Sequence, residues 1–278
     1  MRVIGDGNMN PNKALWEKGD FTKIAATMRE SGVEVVRSLS VTSAMDVLDL
    51  GCGDGTTALP AAELGARVLG VDIASNLVAA GNARAVAAGL SNIHFQEGDA
   101  SGLVGIADEK FDLVVSMFGA MFSPRPFDVA REMVRVTKSG GRIVMGNWIP
   151  GDPTLVAQIL KISAAYTPPP PDGFVSPVTW GVEANVRERF GAVGIAPSQI
   201  QCERETYVFR HPGPPEELVG AFRHFYGPTM NAFAATAESG RSDELFDELV
   251  ALFKSQNEAG LDRTIIPAKF LKVIVTKA

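Results

Sequence analysis

Val47-Leu48-Asp49-Leu50-Gly51-Cys52-Gly53-Asp54-Gly55-Thr56-Thr57 is the stretch that decides how the rest of the chain is read. An apolar run holding a single acid, then glycine at three alternate positions, then the start of an amphipathic stretch, spells strand, tight turn and helix. Without Cβ atoms at 51, 53 and 55 the backbone is free to take positive φ and to let a ligand lie against it, while the following helix offers unpaired N–H groups. The glycine density therefore predicts a ligand at this turn, with close approach accounting for all three glycines.

The spacing narrows the ligand. A dinucleotide fingerprint, Gly-x-Gly-x-x-Gly, needs glycine at 56, where Thr56 stands, and the observed order is Gly-x-Gly-x-Gly. Asp49, just before the turn, repels a pyrophosphate but accepts hydrogen bonds from a cationic amino-acid end. A tight connection with no ligand, and a nicotinamide dehydrogenase, stay open on the residues alone. Asp-x-Gly-x-Gly-x-Gly resembles the first motif of class I S-adenosylmethionine-dependent methyltransferases, of the small-molecule kind called type 11 or ubiquinone/menaquinone C-methyltransferase-like. The resemblance implies S-adenosylmethionine as cofactor and S-adenosylhomocysteine as product. It also implies a Rossmann-like α/β fold with a seven-stranded sheet of order 3-2-1-4-5-7-6, the last strand antiparallel.

Downstream of the turn a strand and helix rhythm continues. A helix follows from about Thr56 to Leu64, and Arg67–Asp72 is a second strand ending in an acid 23 residues after Asp49. At that separation a terminal carboxylate can accept both hydroxyls of a ribose; the plainer alternative is that Asp72 caps the alanine-rich helix beginning near Ser75. Asn92 to Glu97 is a third strand leading into Gly98-Asp99-Ala100. By resemblance, Asp99 bonds an adenine amino group and the Ala100 N–H a ring nitrogen; a simple Asx-turn is the alternative. Phe111–Ser116 is a fourth strand, opening into the apolar loop Met117-Phe118-Gly119-Ala120-Met121-Phe122, where the ends of a parallel sheet place ligands. A helix to Val136, a turn at Lys138–Gly141 and a fifth strand ending at Trp148 follow.

On either side of this core lie a lid and an acceptor half. Residues 1–12 are rich in Gly, Asn and Pro and are expected to be poorly ordered. Two helices follow up to Leu39, separated near Ser31-Gly32, and Trp16-Glu17-Lys18-Gly19-Asp20-Phe21 is similar to the segment that covers the cofactor in small-molecule methyltransferases. Beyond Trp148, residues 155–166 and 183–190 read as helices, and Thr167–Gly173, with four consecutive prolines, as a rigid loop at the pocket edge. Gln199–Arg210 and Phe270–Lys277 form the closing hairpin strands. Residues 212–262 between them are too long for a plain loop and read as a helical insertion. The expected organisation is one methyltransferase domain over 1–278: a helical lid at 1–40, a cofactor-binding half at 41–150, and a substrate-side half at 151–278.

The candidate cofactor residues are Trp16, Phe21, Asp49, Gly51, Cys52, Gly53, Thr56, Asp72, Ile73, Asp99, Ala100, Ser116, Met117 and Phe118. Candidate acceptor residues are Phe118, Met121, Phe122, Trp148, Trp180, His224 and Tyr226. Only His224 and Tyr226 offer themselves as a general base, and they point about 200° apart on an ideal helix; a satisfied surface or core histidine is the alternative. No residue pattern signals a metal. A protein that binds the cofactor without chemistry also fits an intact motif lacking an evident base.

Composition sets the outer limits. The 278 residues are 46% hydrophobic and 21% charged, with a net charge of −6 and a pI near 5.2. That balance gives nucleic acid or an anionic membrane no general electrostatic reason to bind, and leaves a small molecule as the expected partner. Two cysteines, Cys52 and Cys202, are too few for a disulfide framework and suit a reducing, cytoplasmic setting. The first residues lack a signal-peptide core, and no run approaches the ~18 apolar residues of a membrane span. Gly-x-Ser-x-Gly, His-Glu-x-x-His, a phosphate-loop lysine and Cys-x-x-Cys are all absent. So is the Asn/Asp-Pro-Pro-Tyr type of sequence expected in an amino-directed nucleic-acid methyltransferase.

Overall fold

Why the glycine turn sits where it does follows from the strand before it. In the computed structural model, which describes residues 10, 12–237 and 239–278, β1 (Asp46–Leu50) is flanked on both edges by parallel strands, β2 (Arg67–Asp72) and β4 (Phe111–Met117). Its Val47, Leu48 and Leu50 are fully buried, the pattern of a strand covered on both faces. The full sheet adds β3 (Ile93–Glu97), β5 (Thr137–Trp148), β6 (Ile200–His211) and β7 (Thr264–Thr276) in the order β3-β2-β1-β4-β5-β7-β6. β7 runs antiparallel to both β5 and β6. The expected topology is the observed one. Strand order reverses between β1 and β4, so the crevice for a ligand opens at their carboxyl ends, at the glycine turn.

The helices are α1 (Asn12–Glu17), α2 (Thr22–Ala25), α3 (Arg29–Ser38), α4 (Ala58–Glu63), α5 (Ser75–Ala87), α6 (Pro126–Val136), α7 (Leu155–Ala165) and α8 (Glu183–Gly191), followed by α9 (Pro215–Phe225), α10 (Gly227–Ala237) and α11 (Ser242–Gln256). The last three fill the expected insertion between β6 and β7 and bury Leu218, Phe222, Phe233, Leu245, Leu249 and Phe253.

Two local expectations are corrected. Ser31-Gly32 does not separate two helices but lies inside α3. A Cβ at Gly32 would come 2.6 Å from Thr56, so the glycine lets α3 lie against the glycine turn, and Ser31 Oγ bonds the backbone of Val208 at 3.0 Å. The break falls earlier, at Lys18–Phe21, where Asp20 accepts the Thr22 N–H at the start of α2. Likewise Lys138–Gly141 is a bulge inside β5 and not a turn before it: Phe111 pairs with Thr137 but Leu113 with Arg142, and Gly140 takes φ +77° in the surplus. Poor order over residues 1–12 lies, save for Asn10 and Asn12, outside the described residues.

Candidate active site

At the carboxyl ends of β1, β2 and β4 a cleft of about 940 Å³ opens, lined by every expected cofactor residue except Asp99 and Ser116. The three glycines of the turn do different jobs there. Gly51 (φ +69°) is pressed against Gly119, whose Cα would lie 2.6 Å from an added Cβ, and Gly55 (φ +90°) would strike Phe95 at 2.7 Å. Only Gly53 (φ +55°) faces open space, so ligand approach explains one glycine and packing explains the other two.

Two buried carboxylates flank the turn. Asp49 is 2% exposed, and its Oδ2 meets no hydrogen-bond partner among the described residues. Burial, reinforced by the charge of Asp72 and opposed by the Ala58 N–H, pushes its carboxyl up to about 8. Asp72 accepts the Gly53 N–H through Oδ2 (2.8 Å) and the Ala74 N–H through Oδ1 (2.9 Å), and burial raises it as well. It does not cap α5, whose N-cap Ala74 has no side-chain cap, but ties the approach to that helix to the glycine turn while still lining the cleft. Cys52, also in the wall, is a buried thiol raised by desolvation and by Asp72, hence inert at neutral pH.

Sequence reasoning missed what fastens the turn. Asp54, 1% exposed, is held through both oxygens by Arg29 of α3, which also bonds Thr56 Oγ1, and Arg84 of α5 lies 3.7 Å away. Asp99 forms the Asx-turn alternative: Oδ1 accepts Ser101 N–H (2.8 Å) and Oγ–H (2.6 Å), while Oδ2 lies 3.5 Å from Arg125. It stands beside the cleft, whose lining there is Gly98 and Ala100. Ser116 is structural, donating to Leu50 O (2.6 Å) and accepting Ala120 N–H (3.0 Å), so that it ties the ends of β1 and β4.

The apolar loop after β4 supplies the boundary of the cleft. Phe118 adopts φ +63°, a conformation that costs a non-glycine residue ~1–3 kcal/mol and persists only where the surroundings enforce it. Here the Phe118 ring stacks on Trp148 (3.7 Å, 4°) with Tyr207 and Phe270 set edge-on. Behind it lies a second cavity of about 370 Å³, lined by Trp16, Phe21, Phe118, Phe122, Trp148, Phe209, Phe222 and Tyr226 with Ile24, Met28 and Val156. Trp16 and Phe21 line both spaces. Tyr207 and Phe209 were not anticipated, although their alternation along β6 puts both on one face and is a readable signal.

Several expected acceptor residues are elsewhere. Met121 is 2% exposed and lines neither space. Trp180 is buried against Arg189 (4.4 Å) and Phe190. His224 is solvent-exposed in the last turn of α9, because the face of that helix carrying Leu218 and Phe222 is the one that packs inward. The proline loop exposes residues 168–174 and borders neither cavity. Tyr226 does reach the second cavity, but burial pushes its phenol above the ordinary range, so it is a donor and no base.

These residues fit S-adenosylmethionine. A buried carboxylate oxygen, Asp49 Oδ2, has no partner among the described residues and would suit a cation, Gly53 leaves the backbone bare, and an acid stands at the end of β2. Among the described residues no cluster suits a metal ion, and no helix is long and apolar enough to cross a membrane.

Comparison with known proteins agrees. Residues 48–145 match the family described as a methyltransferase domain. The chain is 34% identical over 229 residues to the protein named Uncharacterized protein Rv1403c of Mycobacterium tuberculosis, spanning 82% of this chain and 81% of that one. It is 35% identical over 114 residues to the demethylmenaquinone methyltransferase of Paenarthrobacter aurescens, 41% of this chain and 43% of that protein. Among solved structures, the YcgJ protein from Bacillus subtilis superposes with a TM-score of 0.59 at 20% identity, over 90% of this chain and 99% of that one, a likeness of fold. The dinucleotide reading is thereby set aside: the chain is an enzyme that uses S-adenosylmethionine and belongs to the class I S-adenosylmethionine-dependent methyltransferases.

Proposed function

We propose that the enzyme methylates a small molecule held in the aromatic chamber behind Phe118. The observation that carries this reading is that the two cavities abut, sharing Trp16, Phe21, Met28, Phe118 and Phe122 as a common wall. On this reading Asp49 takes the ammonium of the cofactor's amino-acid end, and the bare backbone of Gly53 lets that end lie close. Asp72, each of whose oxygens keeps a lone pair after bonding Gly53 and Ala74, accepts ribose hydroxyls. Ala100 offers its N–H to the adenine, with Asp99 supporting that turn from outside the lining.

When bound, S-adenosylmethionine supplies an activated methyl group, so the work of the chain is alignment and exclusion of water. Alignment in a near-attack geometry is worth up to ~7–11 kcal/mol. Trp16 and Phe21 close the space from above, and the Phe118–Trp148 stack fixes one wall. The net charge of −6 offers no basic track for a nucleic acid.

We read the whole chain as one methyltransferase domain in which the acceptor half at 151–278 shares its chamber with Trp16, Phe21, Ile24 and Met28 of the N-terminal segment and with Phe118, Phe122 and Trp148 of the cofactor half. Free Cys52 and Cys202 suit a reducing cytoplasm. The test is calorimetric titration with S-adenosylhomocysteine, then a labelled-methyl screen over phenols, quinols, amines and thiols. Micromolar binding with label transferred to a small acceptor is expected; binding with label transferred only to protein or nucleic acid would refute the reading.

A further inference from the structure

Resting on the reading of the cleft given above, we infer that Ser123 recognises the base of the cofactor: its Oγ accepts a hydrogen bond from the exocyclic amino group of the adenine, the role that the family resemblance implies for Asp99.

The unpaired groups of the cleft point there. Two of its lining residues carry a buried side-chain oxygen with no hydrogen-bond partner among the described residues, Asp49 Oδ2 and Ser123 Oγ. Ser123 is 7% exposed. A buried hydroxyl left unpaired is destabilising, so beside a ligand cleft it marks a place where the ligand brings the missing partner. Asp49 stands at the end proposed to take the amino-acid part of the cofactor. Ser123 belongs to the opposite end.

Its position follows from the chain on either side. Arg125, two residues on, donates to Ser101 Oγ (2.7 Å) and lies 3.5 Å from Asp99, so the segment holding Ser123 is joined to the turn whose Ala100 lines the cleft. From the other side Asn12 donates to the carbonyl oxygen of Phe122. The Ser123 N–H bonds Ala120 O (3.1 Å), closing the 3₁₀ turn at Ala120–Phe122, and Pro124 favours the extended backbone found at Ser123, with ψ 133°. Rotation about Cα–Cβ stays available, and a change between staggered positions brings the hydroxyl onto a bound base.

Asp99 is otherwise engaged. Gly98 and Ala100 on either side of it line the cleft, and Asp99 does not. Its Oδ1 accepts the Ser101 N–H and Oγ–H, while its Oδ2 faces Arg125 and accepts Asn10 Nδ2 at 3.4 Å. The carboxylate thus closes its own turn and fastens the segments around the base end. With the Ala100 N–H given to a ring nitrogen, the amino group beside that nitrogen needs an acceptor, and a serine oxygen with lone pairs to offer meets the need.

The probe is the 6-deamino analogue of S-adenosylhomocysteine, in which purine replaces adenine, titrated calorimetrically beside S-adenosylhomocysteine itself. The native protein should bind S-adenosylhomocysteine roughly three- to tenfold more tightly than the analogue, the worth of one neutral hydrogen bond. Ser123→Ala should bind the two equally, through loss of affinity for S-adenosylhomocysteine with that for the analogue unchanged. Its ligand-free melting temperature should equal or exceed the native one, because the hydroxyl has no protein partner to lose. Asp99→Asn should weaken both ligands by the same factor and keep their ratio, as expected of a residue that only holds the turn. A preference for S-adenosylhomocysteine surviving in Ser123→Ala, a preference lost in Asp99→Asn, or no preference in the native protein would each overturn the proposal. Failure of the native protein to bind either ligand would instead fault the reading of the cleft.

Discussion

If Asp49 takes the ammonium of the cofactor, as proposed above, cofactor binding releases a proton. In the free protein its buried carboxyl titrates at about 8, because desolvation and the neighbouring Asp72 disfavour its charge. At pH 7 it is therefore about 0.9 protonated, and a ligand ammonium that binds only the carboxylate expels that proton. If the complex binds only ionised Asp49, the apparent dissociation constant scales as one plus ten to the power of 8 minus pH. Affinity then tightens about 50-fold between pH 6 and pH 8 and levels off above it. Calorimetry with S-adenosylhomocysteine at pH 7 in phosphate and in Tris should give enthalpies differing by about 0.9 of the difference in buffer ionisation enthalpy. Asp49→Asn should abolish both the buffer dependence and the pH slope, and weaken binding by ~1.5–3 kcal/mol, the worth of a hydrogen bond to a charged group. The same shift acts on folding. With the folded pKa above the unfolded one, the native state binds the extra proton, so Asp49's contribution is present in full below the carboxylate range and is lost as pH rises to about 8. The ligand-free Asn variant should lack that decline. Equal enthalpies in the two buffers for the native protein, or a pH slope surviving in the variant, would refute the assignment of the ammonium to Asp49.

Other sites yield simpler outcomes. Gly53→Ala should cost ~1–2 kcal/mol for a side chain at positive φ and lower S-adenosylhomocysteine affinity at least tenfold, whereas Gly140→Ala, equally strained at φ +77° but remote, should cost the same stability with affinity intact; parallel melts and titrations decide. Arg29→Met strands Asp54, which is 1% exposed, and should destabilise by ~3 kcal/mol in urea unfolding, the low end for a broken buried pair because Arg84 remains nearby; a change under half that would mean Arg84 alone suffices. His224→Ala should leave methyl transfer and its pH profile unaltered, and a lost acidic limb in that profile would count against the exposed position seen here.

What could be read from residue order was what is written locally. Strand, turn and helix at 47–57 and the acid ending β2 are patterns within a few residues, the insertion before β7 shows in its length alone, and the sheet order followed from the family they resemble. Ser31-Gly32 misled because a glycine admitting a neighbour and a glycine breaking a helix look alike until the neighbour, Thr56, is in place. Arg29 and Asp54 lie 25 positions apart with no periodic link, so their pairing is invisible before folding. Aromatic residues were the hardest to place. Trp148 faces a chamber and Trp180 an arginine in the core, and nothing in either local sequence separates the two fates. Asp99 shows the converse case, where the modest alternative of a self-contained turn describes its contacts.

The covering segment is anchored unequally at its two ends. α3 is pinned to the floor by Arg29, whereas α1 buries none of its residues and is tied down by Asn12 to Phe122 O, Lys13 to Glu97 and Glu17 to Ser75. Water can replace each of those ties at little cost, and beyond them Trp16, packed against Phe21, Phe122 and Tyr226, holds α1 through apolar contact, so a segment that opened would open from α1 and not from α3. Were spent cofactor and methylated product to leave past α1, the rate of that opening would set a ceiling on turnover that no improvement in the transfer step could raise.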